Sequence, residues 1–261
     1  MGRGPESQYI PDNKYRLQKV ARAALNVTFP GEVVQGETDE IAKASELLKE
    51  GYGLFIPTVH FSGADFIQLM AKVGQYPEIG KRGALIPIGL HELKEWIKLS
   101  IGAVGVDLMP IVTESTRQTM GEASPPLMTG LSEFAVEAGN RLQRGGVVVM
   151  AIQGKRMPTL GEPRPRATAM WSILQKARPP KQPDVIPRVA VMPVGLRLKG
   201  KPTYDDRGFH FRERFEVAPN KVETVEEILG KIEGATLIKK YAQIEAYVYD
   251  RLREVAAPEY R

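Results

Sequence analysis

Histidine is scarce in this chain, three in 261 residues, and one of them, His60, is followed five positions later by Asp65. The segment Thr58-Val-His60-Phe-Ser62-Gly-Ala-Asp65 leads out of a short apolar run and into a stretch with helical periodicity. That pattern puts the histidine at the end of a buried strand and the aspartate in the first turn of the next helix. Strand ends in α/β sheets are where reactive groups collect. An imidazole so placed can take a proton from a hydroxyl, and a carboxylate on its other ring nitrogen would orient it and stabilise the imidazolium. The same residues also have a structural reading. Ser62-Gly-Ala-Asp65 fits a capping box, which would leave His60 as a buried, satisfied histidine. The spacing alone does not separate the two.

Two further segments have comparable form. Leu142 to Arg156 reads as a helix end, the turn Gly145-Gly146, the most β-prone run of the chain (Val147–Ile152), and then Gln153-Gly154-Lys155-Arg156, a turn bearing two cations at a strand's end. Val189-Ala-Val-Met-Pro193-Val-Gly195 supplies another buried strand.

The scaffold follows from periodicity and breakers. An irregular arm over residues 1–14 precedes a short helix, Tyr15–Leu25, and a Pro/Gly-marked loop, Phe29–Gly36. Thr38 caps the next helix, whose stripe is Ile41, Ala44, Leu47 and Leu48 and whose stop is Gly51. A strand at Gly53–Val59 and a helix at Ala64–Val73 follow, then a strand (Ala84–Ile88), a helix (Leu90–Leu99) and a strand (Gly105–Val112). Beyond these come a helix at Leu131–Leu142, the Val147–Ile152 strand, a basic loop at Gly154–Pro165, a helix at Arg166–Ala177 and a strand at Arg188–Leu196. Phe209, Phe211, Phe215 and Val217 alternate as in a half-exposed strand, pairing with Leu196–Lys199. Two helices, Val222–Ile232 and Ala235–Ala256, close the chain. Strands alternating with helices predict an α/β fold: a single domain with a central, mostly parallel sheet flanked by helices. Residues 1–29 form the N-terminal arm and short helix, and residues 30–261 the domain itself.

Composition narrows the chemistry. With 43% hydrophobic and 26% charged residues the chain can bury a sizeable core. The absence of cysteine excludes disulfides, thiolate metal sites and a cysteine nucleophile. No dinucleotide fingerprint, P-loop or Gly-x-Ser-x-Gly elbow occurs. His91-Glu-Leu-Lys-Glu95 lacks the second histidine of a helical zinc motif, its acid reads as helix-surface charge, and His210 reads as a solvent-facing strand residue, so no metal site is expected. Net charge is +5, and residues 155–214 carry 14 Lys/Arg against 5 Asp/Glu, a local +9 that leaves −4 elsewhere. An anionic partner is implied. No apolar stretch is long enough to span a bilayer and the N-terminus has no apolar signal core, so a cytoplasmic protein is expected, peripheral on the inner face of the cell membrane.

The order of these segments resembles the glycerolipid acyltransferase family, which includes glycerol-3-phosphate and 1-acylglycerol-3-phosphate acyltransferases. Its first block, Asn-His-x-Ser-x-x-Asp, is similar to Val59-His60-Phe-Ser62-Gly-Ala-Asp65, and its second, a short segment ending in arginine, to Ile111-Val-Thr-Glu-Ser-Thr-Arg117. The third, Phe-Pro-Glu-Gly-Thr-Arg, aligns with Ala151-Ile152-Gln153-Gly154-Lys155-Arg156, and the fourth, Val-x-Pro-Val, with Val191-Met-Pro193-Val194. The resemblance covers about residues 53–196. Val59 replaces the asparagine of the first block and Ile152-Gln153 the Pro-Glu of the third.

That resemblance implies a phospholipid-biosynthetic acyltransferase with the glycerolipid acyltransferase fold. His60 is then the general base, oriented by Asp65, for attack of an acceptor hydroxyl on the thioester of acyl-CoA or acyl carrier protein. It implies no permanently bound cofactor, the donor being a substrate. The acceptor's phosphate would be held by Arg156 first and Arg117 second, because a guanidinium fork matches a phosphate, with Lys155 assisting and Gly154 permitting the tight turn. Gln153 keeps an acceptor at the family's glutamate position but loses its charge. Implied partners are the donor, a phosphorylated glycerol or lyso-lipid acceptor and an anionic membrane surface, with no nucleic acid. Two alternatives stand beside this: a divergent member acylating another lyso-lipid or alcohol, and a non-catalytic module binding nucleic acid or membrane through charge alone.

Overall fold

The computed structural model describes residues 12–28, 30–34, 38–59, 65–92, 101–112, 114–121, 130–153, 159–161, 170–180, 182, 184–198, 215–233 and 237–256. Within them the chain runs α1 (Asp12–Thr28), β1 (Gly31–Val33), α2 (Thr38–Lys49), β2 (Gly53–Thr58), α3 (Asp65–Val73), α4 (Pro77–Arg82) and β3 (Ala84–Gly89) with a 3₁₀ turn at Leu90–Glu92. Then follow β4 (Val106–Ile111), α5 (Glu114–Met120), α6 (Leu131–Gln143), β5 (Val147–Ala151), α7 (Met170–Lys176), β6 (Val189–Val191) and β7 (Val194–Leu198). The chain finishes with β8 (Phe215–Pro219), β9 (Glu223–Thr224), α8 (Val225–Lys231) and α9 (Leu237–Val255).

The strands form one sheet in the order β1-β8-β7-β2-β5-β3-β4, with β6 beside β2 and β9 beside β6. Pairing is parallel from β7 through β4, while β8 runs antiparallel to β7 and β9 to β6. Every residue of the central strands β2 and β5 is buried. Strands covered on both faces must be nearly continuously apolar, which is why Leu54-Phe55-Ile56 and Val147-Val148-Val149 carry no polar alternation. The molecule is therefore a single α/β domain whose mostly parallel sheet is flanked by helices, as the alternating pattern predicts.

Several boundaries differ from expectation. The first helix extends from Asp12 to Thr28 instead of Tyr15 to Leu25, because no breaker stands between Pro11 and Pro30. The expected loop over 29–36 contains β1, which pairs in parallel with β8 through Gly31↔Phe215. The strand expected over Arg188–Leu196 is divided at Met192-Pro193, where proline offers no N–H to the ladder. Met192 N–H still donates to Phe55 O at 3.0 Å, so the interruption is local. The helices α4 and α5 have no counterpart in the sequence pattern. The expected helix at Leu90–Leu99 opens as the 3₁₀ turn, residues 93–100 lying outside the described residues, and that at Val222–Ile232 begins only at Val225. Thr224 caps it: its hydroxyl accepts from Glu227 N–H at 3.1 Å while the Glu227 carboxylate accepts from Thr224 N–H at 2.7 Å. Phe209 and Phe211 lie outside the described residues. Phe215 and Val217 are buried on β8, in register with Leu198 and Leu196.

The N-terminal helix is fixed by a buried cation. The Arg22 guanidinium on α1 donates to Val104 O at 2.8 Å, Gly74 O at 2.8 Å and Gly80 O at 3.1 Å. Gly74 O lies just past the end of α3 and Gly80 O in α4, so the cation meets carbonyls at the negative ends of two helices. Burial lowers the Arg22 pKa, and the nearby Tyr15 works against that shift. Room for the guanidinium comes from glycines. A Cβ on Gly80 would stand 2.6 Å from Arg22 Nη1, and one on Gly105, whose φ is +86°, would stand 2.6 Å from Nη2.

At the other end of the chain a buried carboxylate joins three elements. Glu223 on β9 accepts from Lys231 Nζ on α8 and, at 2.7 Å, from the Tyr247 hydroxyl on α9, with Arg251 Nε 3.8 Å away. Burial pushes the Glu223 carboxyl up, but the bonds from Lys231 and Tyr247 and the charges of Lys231 and Arg251 outweigh it and hold the group below its ordinary value. A carboxyl depressed by folding contributes stability that is present above the ordinary carboxylate range and lost as pH falls through the folded pKa. Urea midpoints measured from pH 7 down to pH 3 should therefore fall in acid. Glu223→Gln should be destabilised by about 1–3 kcal/mol at pH 7 and show a shallower acid loss. Identical pH profiles for the two proteins would contradict the role given to this carboxylate.

Candidate active site

Two parallel strands end, and a third begins, on one rung. Thr58, the last residue of β2, is in register with Ala151 at the end of β5 and with Val194 at the start of β7. The Thr58 hydroxyl donates to Val194 O at 2.8 Å, and Ile152 N–H donates to Thr58 O at 3.3 Å. The Tyr249 hydroxyl on α9 donates in turn to Ile152 O at 3.3 Å. Thr58, Val59, Ile152, Val194 and Tyr249 are all buried, and these bonds tie the rung to both neighbouring strands and to α9.

The chain leaves this rung in two directions. From β2 it passes β5 to reach β3, and from β5 it passes β2 to reach β6. Right-handed crossovers that run oppositely along a sheet leave on opposite faces, and the carboxyl ends of such neighbouring strands flank a crevice suited to ligands. Packing agrees with the division: α1 lies against α3 and α4, whereas α6, α7 and α9 pack in sequence against one another.

Asp65 opens α3 and is fully buried. A carboxylate removed from water is costly unless compensated, and the first turn of a helix is favourable ground for its charge. One turn on, at the i+3 position of the same helix face, Gln68 is also fully buried, and neither atom of its amide has a hydrogen-bond partner. No pattern in the sequence marks this glutamine, which falls within an otherwise apolar helical stripe.

Gln153 follows β5 and is buried, donating through Nε2 to Thr159 O at 3.2 Å. That bond uses the amide N–H, which a glutamate carboxylate cannot offer. Arg117 is exposed on α5, beyond β4. Since β4 stands three places from β2 in the sheet, the two strand ends are roughly 14 Å apart at ordinary strand spacing. His60, Gly154, Lys155 and Arg156 lie outside the described residues, as does Ser62 of the alternative capping box.

No protein-family profile matches the chain, and no curated protein does either. Among solved structures it is similar to the 1-acyl-sn-glycerophosphate (LPA) acyltransferase PlsC from Thermotoga maritima, at 15% identity and a TM-score of 0.43, over 93% of this chain and 78% of that one. A likeness this slight assigns neither substrate nor residue role.

His91 is expected within a helix over Leu90–Leu99. It sits on the 3₁₀ turn after β3, half-buried, with Nδ1 hydrogen-bonded to the Thr116 hydroxyl at 2.8 Å. The contact spans 25 residues, so nothing local announces it; it ties the exit of β3 to α5 and so sets the position of the helix that carries Arg117. Among the described residues no three His, Asp or Glu side chains gather as a metal site would require. An open groove lined by Met109, Ser132, Glu133, Val136 and Glu137 lies between β4 and α6, at the far edge of the sheet from the β2–β5 rung.

Proposed function

We propose that the protein is an O-acyltransferase that moves a fatty acyl group from acyl-CoA or acyl carrier protein to a hydroxyl of glycerol-3-phosphate or 1-acylglycerol-3-phosphate. The observation that carries this reading is the shared rung of Thr58, Ala151 and Val194, together with the fully buried Asp65 opening the helix after β2. Three of the four segments that resemble the acyltransferase blocks thus adjoin one point of the sheet.

In the proposed reaction His60 removes the acceptor's hydroxyl proton as the oxygen attacks the thioester carbonyl carbon. Asp65 stabilises the resulting imidazolium. Collapse of the tetrahedral intermediate breaks the C–S bond, and the imidazolium returns the proton to the leaving thiolate. The ester and the free thiol are the products, and no acyl-enzyme is needed. Arg156, with Lys155, is assigned the acceptor phosphate, and Arg117, on the β4 side, a secondary contact.

The second reading, a relative that acylates a non-phosphorylated alcohol, is favoured by one feature: Gln153 where the family has glutamate. Thiol release with glycerol-3-phosphate, 1-acylglycerol-3-phosphate and a long-chain alcohol separates the two. Turnover should require the phosphorylated acceptors, and Arg156→Ala should raise their KM by at least about tenfold with a smaller change in kcat. Equal turnover of the alcohol, or an unchanged KM, would remove the phosphate assignment.

A further inference from the structure

Amphipathic helices on a soluble domain turn their apolar residues inward. The first helix, α1, does so only in part. Its inner side carries Ala21 and Leu25, half-buried against the core, beside the buried Gln18 and Arg22, while Leu17, Val20 and Val27 are 72%, 68% and 80% exposed. Among the described residues these three exceed every other exposed large apolar side chain, the next being Val136 and Val185 at 41%. With Ala24, also exposed, they stand at i, i+3, i+7 and i+10, one continuous line on the outer surface. Exposed cations border that line. Arg16 and Lys19, one turn apart, lie along one flank, and Lys14 lies on the other. The 17 residues of α1 contain four cations, of which Arg22 alone is buried, and one acid, Asp12, at the helix's first position.

The helix cannot roll to hide the apolar line. Turning it inward would carry Arg22 out to the surface and leave the buried carbonyls of Gly74, Gly80 and Val104 without their donor. The apolar line is therefore held outward by the fold. Its chemistry selects the occupant. The line is purely aliphatic, without the aromatic anchors that dominate protein interfaces, and its flanks are basic. Aliphatic insertion beside cations matches the acyl and phosphate layers of an anionic bilayer surface.

We infer that the outer face of α1 is a membrane-contacting surface, seating the protein on anionic lipid with Leu17, Val20 and Val27 among the acyl chains and Arg16 and Lys19 on headgroup phosphates. This assigns the membrane contact to a particular helix, where the sequence suggested only a basic stretch over residues 155–214. It rests on the proposed function only in giving a lyso-lipid acceptor a reason to be nearby.

The test is flotation of the full-length protein with vesicles of phosphatidylcholine alone and of phosphatidylcholine with phosphatidylglycerol. The wild type should float with the anionic vesicles and much less with the neutral ones. A Leu17→Ser, Val20→Ser, Val27→Ser variant, altered only at exposed positions, should lose at least about tenfold in partitioning while keeping its melting temperature. An Arg16→Glu, Lys19→Glu variant should lose much of its preference for anionic vesicles. Turnover of the water-soluble acceptor glycerol-3-phosphate should be unchanged in the serine variant. If thiol release is absent in every protein but vesicle binding follows the pattern above, the catalytic reading fails and the membrane surface stands. Wild type that does not float, a serine variant that floats equally, a glutamate variant that keeps the full anionic preference, or a serine change that dissolves a dimer seen by light scattering without altering flotation would each overturn the inference.

Discussion

Replacing His60 by alanine should lower kcat by about a thousandfold or more while leaving the urea midpoint of unfolding where it was. The size follows from the chemistry, since a positioned general base contributes roughly 10²–10⁴-fold, and no cysteine exists to offer a second route through a thioester-exchange nucleophile. Asp65 separates the mechanistic reading from the structural one. As the group that orients His60, its change to Asn should reduce kcat by about a hundredfold or more, with little change in KM, because an amide cannot stabilise the imidazolium. As a helix-capping carboxylate alone, the same change would cost at most about 1 kcal/mol of stability and leave turnover intact. Asp65 is fully buried, so both stability and kinetics must be measured on the same preparation. A kcat that follows only the loss of folded protein would assign Asp65 to the fold.

The largest effect on stability is expected at Arg22. Its guanidinium satisfies three main-chain carbonyls from segments 52, 58 and 82 residues away, and the whole side chain is buried. Arg22→Met fills much of the same space but leaves those carbonyls without their donor. A hydrogen bond to a charged group contributes about 1.5–3 kcal/mol, and a buried carbonyl left without its donor costs about 1–3 kcal/mol, so with three carbonyls involved a loss of about 4 kcal/mol is expected. Arg22→Lys should recover only part of it, because an ammonium cannot reach three divergent carbonyls with the geometry of the planar fork. The guanidinium also holds the C-terminal end of α3, a nine-residue helix about 13 Å long whose first residue is Asp65. The Met variant should therefore show reduced kcat at temperatures where it is still folded, read by urea titration alongside turnover.

Where chemistry was local, the sequence was readable. Val147–Ile152 and Gly53–Val59 are apolar without alternation because both sheet faces above them are covered, and they emerge as β5 and β2 within a residue of their expected ends. The stripe Ile41, Ala44, Leu48 is buried on α2 as its spacing requires. Elements made by distant pairing were not readable. Gly31–Val33 becomes a strand only because Phe215–Val217 lies beside it, and Pro193 divides a strand that composition presents as continuous. The spacing of Leu17, Val20, Ala24 and Val27 would pass for a core stripe. Which side of α1 faces inward is decided by Arg22 and three carbonyls far along the chain, and no local periodicity contains that information.

The candidate site divides the same way. The strands β2 and β5 that lead into two of the blocks follow from periodicity, and Thr58↔Ala151 places the two strand ends side by side. That Gln153 is used as a donor to Thr159 O, that Gln68 is a buried amide without a partner, and that His91 bonds Thr116 all depend on tertiary neighbours. Residue type alone points to none of the three.

The most direct test of acyl transfer is a single reaction in which purified protein, an acyl-CoA and 1-acylglycerol-3-phosphate are mixed, and free thiol and diacyl ester are quantified together by absorbance and mass spectrometry. One ester per thiol released, dependent on acceptor and with no acyl adduct on the protein's intact mass, is the expected result. Thiol release without ester, or none above the buffer rate, would contradict it.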